Sequence, residues 1–167
     1  MVPSDPLLTF PETLQVSTEH ASLRYIKIPA LFAVHGNLPA QLKSAVEATI
    51  EEGAITICRR EEVTLGVPLS SLKISPVYAL DPHGPLAVPT GRIFIRFIPG
   101  VTAEDRRPDL EERGYTITHI PSYAAHTAWA LASNGDIATA LFNIEKLKDL
   151  RDVANVEPQL LMQRKNR

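Results

Sequence analysis

The sequence predicts an α+β fold. Three observations carry that prediction. Short apolar runs of strand character recur along the whole chain, at residues 30–35, 54–58, 92–98 and 153–162. Two other stretches, 39–52 and 136–148, place apolar residues at helical spacing. With 14 prolines against 8 glycines, the connections are stiff and extended. Hydrophobic residues make up 44% and charged residues 22%, enough apolar material for a sizeable core.

Taken in order, residues 1–22 hold three prolines and no periodicity, and read as an extended or disordered lead-in. Residues 23–80 read as a β-α-β region. Its first strand is 30–35 (ALFAVH), and Gly36-Asn37 turns the chain. Asn37 caps a predicted helix that tolerates Pro39 in its first turn and presents Leu42, Ala45, Val46 and Ile50 on one face. Thr49 interrupts that stripe, and Gly53 stops the helix. Residues 54–58 (AITIC) form the next strand, with further extended stretches at 62–67 and 72–80. The turn cluster DPHGP opens a linker over 81–91.

The second half is clearer. Residues 92–98 (RIFIRFI) form a strand with Ile93, Ile95 and Phe97 on one face. Thr102 to Asp105 resembles a capping box, and a short helix starting near Pro108 ends at Gly114. Strands at 115–120 and 126–131 flank PSYAA. Asp136 caps a second helix, whose face is Ile137, Ala140, Leu141, Ile144 and Leu147. Residues 153–162 close the unit, and 163–167 form a tail. The order β-α-β-β-α-β over 92–162 is that of a ferredoxin-like antiparallel sheet with both helices on one face. The region before it is either a degenerate second copy or extra strands on the same sheet.

Chemistry is sparse. The single cysteine, Cys58, reads as a small half-buried strand residue rather than a nucleophile, despite Arg59 and Arg60 beside it. Histidines 20, 35, 83, 119 and 126 lack metal-ligand spacing, so neither metal nor cofactor is expected. His119 and His126 flank a hairpin turn and would face each other as solvated or core-satisfied side chains. The adjacent pairs Glu61-Glu62 and Glu111-Glu112 read as solvated. Arg92, Phe94 and Arg96 share a strand face, a basic-aromatic pattern also used by RNA-binding sheets. The Gly-Phe run of those modules is missing and net charge is −2, so nucleic acid is not expected as a partner. No 18-residue apolar run predicts a membrane span, and MVPSDPLLTFPETLQ lacks the features of a secretory leader, a face-value cytoplasmic reading.

One resemblance covers residues 74–162. Pro76-Val77-Tyr78, then Arg96-Phe97-Ile98-Pro99-Gly100-Val101-Thr102, Leu110 to Gly114, and a closing Val153-x-x-Val156-Glu157-Pro158 resemble the propeptide, or N-terminal domain, of subtilisin-like (fervidolysin-like) serine proteases. The resemblance implies a ferredoxin-like domain whose sheet packs on two surface helices of the protease. Its tail lies in the active-site cleft as product, and the domain assists folding and inhibits until removed. It implies no catalysis in this chain, which holds no Asp-Ser/Thr-Gly, His-Gly-Thr-His or Gly-Thr-Ser-x-Ala motif. The partner-binding residues it points to are Glu157, Pro158, Gln159, Leu160, Leu161 and Met162, as the tail, with Phe94 and Trp129 on the sheet face. It also implies export. The alternative is a small α+β ligand-binding or homodimerising domain with no protease partner.

Overall fold

The computed structural model describes residues 5–60 and 69–163. Among the described residues the chain is α+β, with nine strands in an antiparallel sheet and few, short helices. The strands are β1 (Thr13–Gln15), β2 (Arg24–His35), β3 (Val46–Ile50), β4 (Ile55–Arg59), β5 (Ile74–Ala79), β6 (Ala87–Phe97), β7 (Tyr115–His119), β8 (Thr127–Ala132) and β9 (Val153–Met162). Their order is β3-β4-β2-β5-β6-β8-β7, with β1 on β2 and β9 on β6. The strand expected at 62–67 lies outside the described residues. Two compact units share the chain. One comprises residues 1–13, 25–89 and 160–167, the other 14–24 and 90–159.

In the first unit the sheet is covered on both faces. Phe32 and Val34 of β2 join Leu7, Leu42, Ala45, Cys58 and Ile74 on one side. Ala33 joins Ile50, Ile55, Ile57, Val77 and Val88 on the other. Burial on both faces explains why β4 and β5 are buried at nearly every position rather than at alternate ones. The described part of the predicted lead-in, residues 5–22, is packed and hydrogen-bonded. Leu7 and Phe10 are core residues. The Lys27 ammonium, almost buried, donates to the carbonyls of Leu7 (2.9 Å) and Phe10 (3.3 Å) and to Glu12 (3.2 Å). Three acceptors satisfy the three donors of a charge that would otherwise be costly to bury. The Tyr78 hydroxyl donates to the Pro11 carbonyl (2.7 Å), and Arg60 pairs with Asp5.

The helix expected after Asn37 is absent. Residues Ala40–Ala45 make a 3-10 helix that buries Leu42 and Ala45. The chain then becomes β3, with Val46, Ala48 and Ile50 facing inward and Glu47 and Thr49 outward. Val46, Thr49 and Ile50 are β-branched and stiff in a helix, while β4 offers them a ladder with Ile50 opposite Ile55. The hairpin that follows is strained, because Glu51 and Glu52 both sit in the left-handed region, at φ 53° and 54°. Replacing Glu52 by Gly should therefore stabilise the protein by about 0.5–1 kcal/mol, with relief of strain exceeding the added entropy of the unfolded chain. Urea denaturation of the two proteins checks this.

In the second unit the order is β9-β6-β8-β7. Ile93 lies opposite Ala130 and Ile95 opposite Ala128, while Tyr115 pairs with Ala132. Three short helices accompany the strands: α1 (Arg107–Glu112), α2 (Ile137–Phe142) and α3 (Ile144–Lys148). Pro108 sits in the first turn of α1, where its missing N–H costs nothing. Asp136 caps α2 by accepting from the Thr139 N–H (3.1 Å). The second predicted helix is broken at Asn143, whose backbone (φ −91°, ψ 6°) separates α2 from α3. The core gathers Ile93, Ile95, Phe97, Leu110, Tyr115, Ala128, Ala130, Leu141, Leu147 and Val156. The buried Tyr115 hydroxyl donates to the Ala140 carbonyl.

β6 begins at Ala87, inside the stretch expected to be a linker, and is 11 residues long. Gly91 lies within it at φ 90°, and a Cβ there would stand 3.2 Å from Ile137 Cγ1. Gly100, at φ 87°, has open space instead. Gly91→Ala should cost about 2–3 kcal/mol and Gly100→Ala about 1 kcal/mol, because only the first adds crowding to backbone strain. Equal losses in thermal unfolding would refute this packing role.

Candidate functional site

From Thr90 on, β6 alternates strictly. Gly91, Ile93, Ile95 and Phe97 are buried, whereas Thr90, Arg92, Phe94 and Arg96 are half-buried on the opposite face. Register places Phe94 directly across from Trp129 of β8. Their ring centroids are 5.1 Å apart and the planes tilt by 58°, a favourable aromatic geometry. The Arg92 guanidinium stacks over Trp129, 4.6 Å from the ring centroid. The sheet thus presents an aromatic pair with one cation laid on it.

Arg96, opposite Thr127, extends this face. It forms an ion pair with Glu19, and its Nε is buried without a hydrogen-bond partner among the described residues. Glu19 belongs to a strap, residues 16–23, ordered by local bonds. The Val16 N–H donates to the Leu23 carbonyl (3.1 Å), the His20 N–H to the Ser17 carbonyl (3.2 Å), and Ser17 Oγ meets His20 Nδ1 at 3.1 Å. The strap is tied to β9. The Thr18 N–H donates to the Val156 carbonyl (3.2 Å) and to Asn155 Oδ1 (3.1 Å). The Val156 N–H donates back to Thr18 Oγ1 (3.1 Å). The Glu19 N–H reaches the same Asn155 oxygen at 3.4 Å. Neither Glu19 nor the strap emerged from the sequence. The spacing Ser17-Thr18-Glu19-His20, with a hydroxyl three residues before a possible partner, was the available signal for a local turn.

The expected tail is not free. Glu157, Pro158, Gln159, Leu160, Leu161 and Met162 are all part of β9. Asn155 Nδ2 donates to the Glu157 carboxylate (3.3 Å), and Thr90 Oγ1 donates to Gln159 Oε1 (2.9 Å). Pro158 is buried. Its expected weakening of the strand does not occur, for a geometric reason. Val156 directs its N–H and C=O to Thr18, and Pro158, two residues on, faces the same side. The missing N–H therefore falls on the edge away from β6. Glu157 to Gln159 lie in the second unit with Phe94 and Trp129. Leu160 to Met162 lie in the first, where Leu161 packs with the cluster around Val88, and Met162 is 41% exposed.

His119 pairs in register with Trp129, while His126 lies before β8 and gives its carbonyl to the Phe97 N–H. They do not face each other across the hairpin. Burial pushes the Cys58 thiol up despite the opposing Arg59 charge, so it is held in the unreactive form. His35 Nε2 meets Ser75 Oγ at 2.8 Å, but Ser75 is fully buried and donates to the Pro76 carbonyl. That pair is structural. An open recess is lined by Asp109, Glu112, Arg113, Leu150 and Arg151, and its neighbouring Arg106 is spent on Asp152 (2.6 Å) and Asp109 (3.5 Å). No group of three or more His, Cys, Asp or Glu among the described residues is placed to hold a metal ion. No helix among them is long and apolar enough to cross a membrane. Neither family models, nor curated proteins, nor solved structures match the chain.

Proposed function

We propose that the chain is a non-catalytic domain that binds and inhibits a subtilisin-like protease, or assists its folding, as the propeptides that its motifs resemble do. On this reading the second unit is a ferredoxin-like domain. Its strand order β9-β6-β8-β7, with α1 between β6 and β7 and α2 and α3 between β8 and β9, supports that arrangement. The observation that carries the proposal is the half-buried face of Arg92, Phe94 and Trp129. A preformed aromatic pair with a stacked arginine has the composition of a binding hot spot. β9 then holds Glu157 to Met162 in register as the strand from which a following segment would leave for the cleft.

Titrating the full chain into peptide-hydrolysis assays of a panel of subtilisin-type proteases tests this. Inhibition at micromolar concentration or below is the expected result. No inhibition of any protease, together with a concentration-dependent dimer in sedimentation, would favour the rival reading of a self-associating domain.

A further inference from the structure

We infer that Glu19 is a stand-in on the sheet face, and that the protein docking there brings a carboxylate of its own to Arg96. The inference rests on the protease-binding reading and names the partner's chemistry. Arg92 and Arg96 sit on one side of β6, roughly 13 Å apart along the strand, with Phe94 between them. The face is therefore apolar at its centre and cationic at both ends. Arg92 is committed to the Trp129 ring. Arg96 is held by Glu19 through one terminal nitrogen, and its buried Nε has no hydrogen-bond partner among the described residues. A guanidinium offers five donors in a fork shaped for two carboxylate oxygens, so this one is under-used.

The grip on the other side is also slight. The Glu19 side chain is half exposed, and among the described residues its backbone N–H has one long bond, to Asn155 (3.4 Å). Thr18, by contrast, is locked to β9 through both its backbone and its hydroxyl. Glu19 can leave Arg96 without dislodging the strap. An ion pair in that setting is worth little and exchanges readily. Once a partner covers the face, Arg96 needs a counter-charge, and a carboxylate delivered in the fork geometry satisfies it better than Glu19 does. A nucleic-acid strand fits the face less well. Trp129 already carries Arg92 on its ring and leans on Phe94, which leaves less ring surface for base stacking.

The test compares the full-length wild type with Glu19→Gln and Arg96→Gln, each confirmed folded by circular dichroism, in the same protease panel. Exchange predicts opposite signs. Glu19→Gln removes the competitor and should lower the inhibition constant roughly threefold, the factor that corresponds to a half-exposed ion pair. Arg96→Gln should raise it about tenfold. If the partner merely covers an intact Arg96–Glu19 pair, Glu19→Gln leaves Arg96 buried and unpaired and weakens inhibition. That result, or no change in either variant, overturns the inference while leaving the protease-binding reading in place. Absence of inhibition by all three proteins overturns both. Trp129 is the sole tryptophan, so its fluorescence reports on this face. A change on adding oligouridylate, with no protease inhibited, would assign the face to nucleic acid and overturn both as well.

Discussion

Lowering the pH from 7 to 4 is expected to remove about 3 kcal/mol of folding stability through one residue, His35. Its ring is largely buried at the end of β2, and its pKa falls to about 4, chiefly by desolvation and secondarily by the Lys73 charge. Neutral imidazole suits the site, because one ring nitrogen meets Ser75 Oγ at 2.8 Å and no carboxylate among the described residues pairs with the ring. The unfolded chain protonates near 6.5, so as pH drops it takes up the proton first. The His35 contribution is thus flat above about 6.5, declines between 6.5 and about 4, and is flat again below. Each pH unit in that window is worth about 1.4 kcal/mol, which gives the total.

Asp5 acts in a different range. Burial would raise its carboxyl, but Arg60 and the Leu7 N–H outweigh it and hold it low. Its contribution is present above 3.8 and is lost on the acid side of the His35 window. The measurement is urea denaturation of wild type and His35→Gln at pH 7 and pH 4.5. The wild type should lose much more than the variant over that interval. Parallel losses would show that His35 is not the titrating group.

What could be read from the sequence follows from where the deciding contacts lie. The second half of β6 was legible because Ile93, Ile95 and Phe97 alternate with Arg92, Phe94 and Arg96, and no helix accommodates that period; its first half, Ala87 to Gly91, lies in the stretch expected to be a linker. The start of α2 was legible because Asp136 caps it within three residues. Leu42, Ala45, Val46 and Ile50 misled, since a 3-10 turn followed by a strand places the same residues inward. Only the pairing of β3 with β4 separates the two, and the turn between them, Glu51-Glu52-Gly53, carries a single glycine as its signal. The lead-in failed for the same reason at longer range. Lys27 orders Leu7 and Phe10, and Val156 orders Thr18 across 138 positions. Pro158 looked like a strand breaker because the sequence does not say which edge of β9 is free. Of the candidate site, Phe94 and Trp129 came from the strand pattern and the resemblance. Arg92's stacking and Glu19's pairing needed the register.

Trp129→Ala should weaken protease inhibition about 100-fold while leaving the domain folded. The two effects separate because Trp129 faces away from the core built by Ile93, Ile95 and Ala130. Its loss removes one aromatic pair and one cation–π contact, about 1–2 kcal/mol of stability. Under a partner the same ring would be fully desolvated, and truncating a central aromatic anchor there costs about 2–4 kcal/mol of binding. Phe94→Ala should cost less, since it leaves Arg92 stacked on Trp129. The double variant should fall short of the sum of the two, because the rings lean on each other at 5.1 Å and share one contact. Tyr123 is the control, being 90% exposed in the loop between β7 and β8 and outside the paired face. Tyr123→Ala should inhibit like the wild type. If Trp129→Ala retains full inhibition at unchanged circular dichroism, the sheet face is not where the protease binds, and the interaction must be sought along β9 and beyond Met162.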